Sequence, residues 1–164
     1  MKLDRLDRKI LQELQRDGRV TFSELANRVG LTTSPCLERV RRLEQAGTIK
    51  GYTALLDAGI LGAQMVVFVQ IRLSRTSQEN FDQFRDAVMS LEEVQEAYLI
   101  SGNFDYLIKA RVGDMEQYRR FLGSKLLKLP GVQESTSYVA MEILKETLNI
   151  PISNRAGNQD NRPS

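Results

Sequence analysis

Eleven consecutive residues, Thr32 to Arg42 (TTSPCLERVRR), hold the side chains best suited to chemistry in this 164-residue chain. At about 100° per residue, Cys36, Leu37, Val40 and Leu43 form one apolar stripe of a helix. Ser34, Pro35, Glu38, Arg41 and Arg42 turn to the other side, with Arg39 on the flank. An arginine fork pairs with a phosphate or with O6 and N7 of guanine, and a glutamate accepts from a cytosine amine. Ser34 is short enough to let the backbone approach a base edge. With Thr32 and Thr33 at the helix start, these residues are the candidates for DNA contact. The same pattern also fits an ordinary three-helix packing unit with a solvated Arg/Glu face.

Other chemistries are poorly served. The chain has no histidine and one cysteine, Cys36, so it lacks the base of a His-centred triad, the usual zinc ligands and an internal disulfide. No catalytic residue, metal ligand or cofactor is expected. A small-molecule enzyme is the competing class, but no nucleotide-binding glycine loop and no nucleophile beside a base are found. Cys36, on the inner stripe, reads as a small core residue rather than a redox sensor. No apolar run nears the roughly 20 residues of a membrane span, and MKLDRLDRK lacks a signal-peptide core, so a cytoplasmic protein is expected. Residues 1–50 carry 11 Lys+Arg against 7 Asp+Glu, and the remainder 12 against 14. The basic N-terminal part is the one that could face nucleic acid.

The elements that must position the arginines carry their own signals. Asp4 can cap a first helix with Leu6, Ile10, Leu11 and Leu14 on one face, ended by Asp17-Gly18. Thr21 and Glu24 form a capping box, with Val20 and Leu25 as a staple, and Phe22, Leu25, Ala26 and Val29 are expected inward. Gly30 supplies the positive φ for a sharp turn into the third helix, which runs from Thr32 or Thr33 to Ala46 before Gly47. The β-rich stretch Thr48–Leu56 reads as a short wing and a linking strand.

Behind it, residues 64–73 predict a strand. Thr76 and Glu79 predict the cap of a helix with Phe81, Phe84, Val88 and Leu91 inward. Two strands, Val94–Ile100 and Tyr106–Val112, flank the turn Ser101-Gly102-Asn103-Phe104-Asp105. A helix capped by Asp114 follows, with Tyr118, Phe121, Leu122 and Leu126 inward, and a last strand spans Val132–Met141. The order β-α-β-β-α-β is ferredoxin-like: an antiparallel sheet with both helices on one face. The fold class is therefore α+β, with an N-terminal winged helix-turn-helix over residues 1–49 and a linking strand and hinge over 50–62. A C-terminal ferredoxin-like domain over 63–150 and a disordered tail over 151–164 complete the expected organisation. The uncovered sheet face, apolar at Val66 and Phe68, is expected to pack against another subunit.

The stretch from Leu3 to Asp57, with SPCLERVRRLE and GYTALL, closely resembles the N-terminal domain of the Lrp/AsnC, or feast/famine, family of transcription regulators, and its leucine-responsive subgroup in particular. VQE, SGNFDYLIKARV and LPGV are similar to the family's ligand-binding and oligomerisation domain, so the resemblance covers residues 3–148. It implies a sequence-specific DNA-binding regulator, nucleoid-associated, that forms dimers and then octamers and responds to a free amino acid such as leucine or alanine. The alternative is an architectural protein that wraps DNA with weak sequence preference. The resemblance further implies an effector site between dimers. Carried onto this chain, that site is Ser101, Gly102, Asn103, Phe104, Asp105 and Tyr106, with Leu99, Tyr138, Val139 and Ala140 as walls. This chain has Asn103 where many members of the family carry aspartate. A zwitterion needs backbone N–H groups for its carboxylate and an acceptor such as Asp105 for its ammonium.

Overall fold

The computed structural model describes residues 2–74 and 77–153, which fall into two compact units: residues 2–55 with 146–153, and the described residues of 56–145. The first unit is built from α1 (Arg5–Arg16), α2 (Phe22–Val29) and α3 (Thr33–Gln45). The first two start where the sequence provides a cap, whereas Thr32 before α3 makes no side-chain capping bond. Asp4 accepts from the Asp7 N–H while the Asp7 carboxylate accepts from the Asp4 N–H, and Thr21 accepts from the Glu24 N–H at 3.2 Å. Glu24 turns to Arg28 instead of returning to Thr21. Gly30 (φ 79°) ends α2 in the left-handed region, which a β-carbon would strain, and lets α3 start within three residues. Ile10, Leu25, Ala26, Val29, Cys36, Val40 and Leu43 form the core. Phe22 is a correction: as the first residue of α2 it lies beyond the packed turns and stays 42% exposed.

Two further expectations change here. Residues 50–57 form no strand ladder, because among the described residues no strand pairs with them, and Leu55 and Leu56 are exposed. Pro151–Ser153, expected in the disordered tail, are held on α1. Gln15 donates to the Ile150 carbonyl and accepts from its N–H, Gln12 donates to Ile152 and Arg8 to Ser153. These are bonds to backbone, which leave no mark in the composition of the segment. Residues 154–164 lie outside the described residues.

The second unit has β1 (Met65–Leu73), α4 (Gln78–Met89), β2 (Val94–Leu99), β3 (Tyr106–Val112), α5 (Met115–Ser124), a 3-10 turn (Leu126–Lys128) and β4 (Val132–Val139). The sheet order is β2-β3-β1-β4, antiparallel at every pairing, as the ferredoxin-like reading requires. Alternation on β1 sends Val67, Val69 and Ile71 toward Phe84 and Val88 of α4 and Tyr118 and Phe121 of α5, so both helices cover one face. Phe68, Tyr138 and Tyr98 stand on the other face, partly exposed. The α4 cap is Ser77, accepting from the Asn80 N–H, in place of the expected Thr76, which lies outside the described residues. No helix among the described residues is long and apolar enough to cross a membrane.

Candidate functional site

The outward side of α3 is open where the periodicity placed it. Thr32, Thr33, Ser34, Pro35, Glu38, Arg41 and Arg42 are exposed, and Arg39 is half-buried. Pro35, Glu38, Arg39 and Arg42 line a surface hollow of about 330 Å³. The four cannot be treated as independent side chains in water, because α1 reaches into the same place. Arg42 Nη2 lies 2.7 and 2.9 Å from the two oxygens of Asp7, and Arg39 Nη1 lies 2.7 Å from Asp7 Oδ1 and 2.6 Å from Asp4 Oδ2. The Asp7 N–H on the Asp4 carboxylate, with Arg39 beside it, holds Asp4 below the usual aspartate range, and the two carboxylates raise Arg39. Arg42 is therefore both half-exposed and anchored. Arg41 has no ion-pair partner among the described residues. Sequence reasoning saw Asp4 only as a cap and passed over Asp7. The signal that could have found them is a carboxylate at a core-facing helix position, since such a group is stable only when paired.

The β2–β3 turn is the second candidate. Ile100 and Asp105 close it (Ile100 N–H to Asp105 O, 2.8 Å), and the Asp105 N–H bonds to Ile71 O. Among the described residues the N–H groups of Ser101, Gly102, Asn103 and Phe104 donate to nothing, which leaves four donors clustered at the tip. Arg72 Nη2 donates to the Asn103 carbonyl at 2.6 Å, and Arg72 lies 3.5 Å from Glu134. Gln70, Arg72, Asn103, Phe104, Glu134 and Thr136, with Ser135, line a hollow of about 140 Å³. That is below the roughly 300 Å³ of ordinary ligand pockets. Arg72 and Glu134 went unnoticed in the sequence because only strand register brings them to the turn.

Tertiary structure gives three of these groups surroundings that the sequence did not reveal. One oxygen of Asp105, Oδ2, accepts the Leu73 N–H at 2.7 Å, so this group also holds β1 to the turn. Tyr106 is a core residue, 5% exposed, its ring 4.4 Å from Phe84. Burial raises its pKa, and its hydroxyl finds no partner among the described residues. Tyr138, Val139 and Ala140 are not beside the turn of their own chain. Val139 pairs with Val67, whereas Leu99 and Tyr106 lie at the level of Ile71, four residues further along β1. At about 3.3 Å per residue the two groups are roughly 13 Å apart. Leu99 stays at the turn, exposed on the edge strand.

Comparison with known proteins matches both units. The family profile described as Lrp/AsnC ligand binding domain covers residues 66–150, and that described as winged helix-turn-helix DNA-binding covers residues 3–50. The chain is 55% identical over 153 residues, 93% of each sequence, to the leucine-responsive regulatory proteins of Klebsiella pneumoniae and Escherichia coli K12. Among solved structures it is similar to a Neisseria meningitidis transcriptional regulator in complex with L-Met (36% identity, TM-score 0.86, 91% of this chain and 96% of that one). It is likewise similar to an AsnC family transcriptional regulator from Agrobacterium tumefaciens (38% identity, TM-score 0.87, 91% and 97%).

Proposed function

The chain belongs to the Lrp/AsnC family of DNA-binding transcription regulators with an amino-acid ligand-binding domain, and from that premise we propose how its parts work. Two α3 helices of a dimer enter successive major grooves of a pseudo-palindromic site, whose half-sites lie about one helical turn or a multiple apart. Ser34 and Pro35 let the helix start approach the bases, Arg42 reads a base edge and Arg41 meets phosphate. The observation that carries this reading is the outward face of α3, open from Thr32 to Arg42 and ending in a half-exposed arginine fork. Arg42→Ala is expected to weaken binding to a selected site by roughly 1–3 kcal/mol, measured by titration at fixed salt. An unchanged affinity and footprint would remove Arg42 from the readout. Affinity that hardly varied between sequences would favour the wrapping protein instead.

The effector is a free amino acid, bound at the β2–β3 turn between dimers. The four undonated N–H groups of Ser101–Phe104 support capture of its carboxylate, and Asp105 and Glu134 supply acceptors for its ammonium. Leucine, alanine and methionine are the first candidates, given the names of the leucine-responsive relatives and the L-Met complex. Tyr138, Val139 and Ala140 then reach the ligand from a neighbouring subunit. The uncovered sheet face supports assembly into dimers and, between them, octamers, in the cytoplasm and on the nucleoid. The amino acid shifts DNA binding by its different affinity for these assemblies.

Asp105→Asn tests the turn cleanly, because an amide oxygen keeps an acceptor for the Leu73 N–H while the charge is removed. Calorimetry against the twenty amino acids is expected to find a ligand for the parent protein and at least a tenfold weaker one for the variant. Melting temperature and effector-free DNA binding should stay unchanged. Full retention of the response would take Asp105 out of the site.

A further inference from the structure

Asp7 is the one charged side chain among the described residues that is buried, at 1% exposure, and it sits under the helix that faces DNA. All its acceptor capacity is used within the unit. Both oxygens receive Arg42 Nη2, Oδ1 also receives Arg39, and Oδ2 receives the Asp4 N–H at 3.1 Å. Asp4 takes the same Arg39 nitrogen from the other side. Two arginines of α3 are thus matched by two carboxylates of α1 and its cap, and Glu38 on the same hollow leaves that surface without a cationic surplus. A groove-facing surface built only for phosphate would leave its cations unmatched, as Arg41 is. Here the charge is withheld, while the geometry is fixed: Asp7 engages only Nη2 of Arg42, and Nε and Nη1 have no partner among the described residues. An arginine so anchored presents the rest of its planar fork in one orientation, which suits a base edge and gives little to a phosphate of arbitrary sequence.

We propose that Asp7 is a specificity-determining residue of DNA recognition: it aims the free donors of Arg42 at a base and keeps the charge of Arg39 and Arg42 from phosphates. This rests on α3 being the helix that reads DNA. Asp7 itself touches no base and acts through Arg42, so it is a positioning residue.

The test uses the full-length protein, a duplex selected from random sequence by the parent protein, and a duplex of unrelated sequence. In Asp7→Asn the freed arginines are expected to bind the unrelated duplex several-fold more tightly. The slope of log affinity against log salt should steepen by about one to two, at roughly 0.9 for each further phosphate neutralised. Affinity for the selected duplex falls, and the ratio between the two drops at least tenfold. An unchanged ratio and slope overturn the proposal. So does an equal loss on both duplexes with a lowered melting temperature, which is what a purely structural role gives. Should Asp7→Asn not fold, Arg42→Lys decides. Lysine keeps the charge and the pairing but not the fork, so the loss must be confined to the selected duplex, and a retained ratio overturns the proposal. If the parent protein selects no sequence at all, the reading of α3 fails beneath it, a result distinguishable from either variant's.

Discussion

An Arg39→Ala/Arg42→Ala double variant is expected to lose the N-terminal helical unit, and not only its affinity for DNA. With both guanidiniums gone, the Asp7 carboxylate, 1% exposed in the parent, retains only the Asp4 N–H. Stranding one partner of a buried ion pair costs about 3–5 kcal/mol. A unit of this size holds about 3–8 kcal/mol in all, at roughly 0.05–0.15 kcal/mol per residue. Helical circular dichroism and amide exchange over α2 and α3 would report the loss, and a melt within about 1 kcal/mol of the parent's would show that Asp7 is satisfied without them. Adding Asp7→Leu to the double variant should recover part of the stability, because an apolar side chain then stands where the carboxylate was left without its cations. Recovery of folding without recovery of DNA discrimination would separate the two roles of the cluster.

Phe84→Ala should strike the other unit by a similar amount. The ring is wholly buried, tilted 31° against Tyr106 at 4.4 Å, with Phe81 edge-on to the same tyrosine at 6.0 Å. Truncation removes the transfer energy of the ring and leaves a cavity between α4 and the sheet, together about 3–5 kcal/mol. Tyr106 opens β3 directly after the β2–β3 turn, so if that turn holds the effector as proposed, the first property to weaken on warming is amino-acid binding, while helices α1–α3 keep their own melt. Two-transition calorimetry, with amino-acid binding followed below the lower transition, checks this. A loss under about 1 kcal/mol would mean that neighbouring side chains close the gap.

Neighbouring residues carried much of this architecture. Asp4, Thr21 and Asp114 cap their helices through atoms three residues away, Gly30 turns the chain because it alone tolerates that backbone angle, and Val67, Val69 and Ile71 alternate into the core. Such signals are local, so a linear reading captures them. The ferredoxin-like order follows once each element is typed, since few ways exist to pack two helices on one face of a four-stranded sheet.

What escaped the reading depends on which distant residues meet. Arg42 looked like a free reader with the Glu38 carboxylate four residues before it, yet the carboxylate that binds it lies 35 positions away on α1. Tyr106 and Tyr138 looked alike as strand tyrosines, yet register sends one into the core and leaves the other half-exposed on the opposite face at the level of Phe68. Arg72 and Glu134 meet at the turn only because β1 pairs with β4 in one alignment. Periodicity and capping determine which face of an element is apolar, because those energies act within a few residues. Which charges cancel and which side chains share a hollow is decided by packing between elements, because electrostatic and steric energies depend on distance in space and are indifferent to distance along the chain.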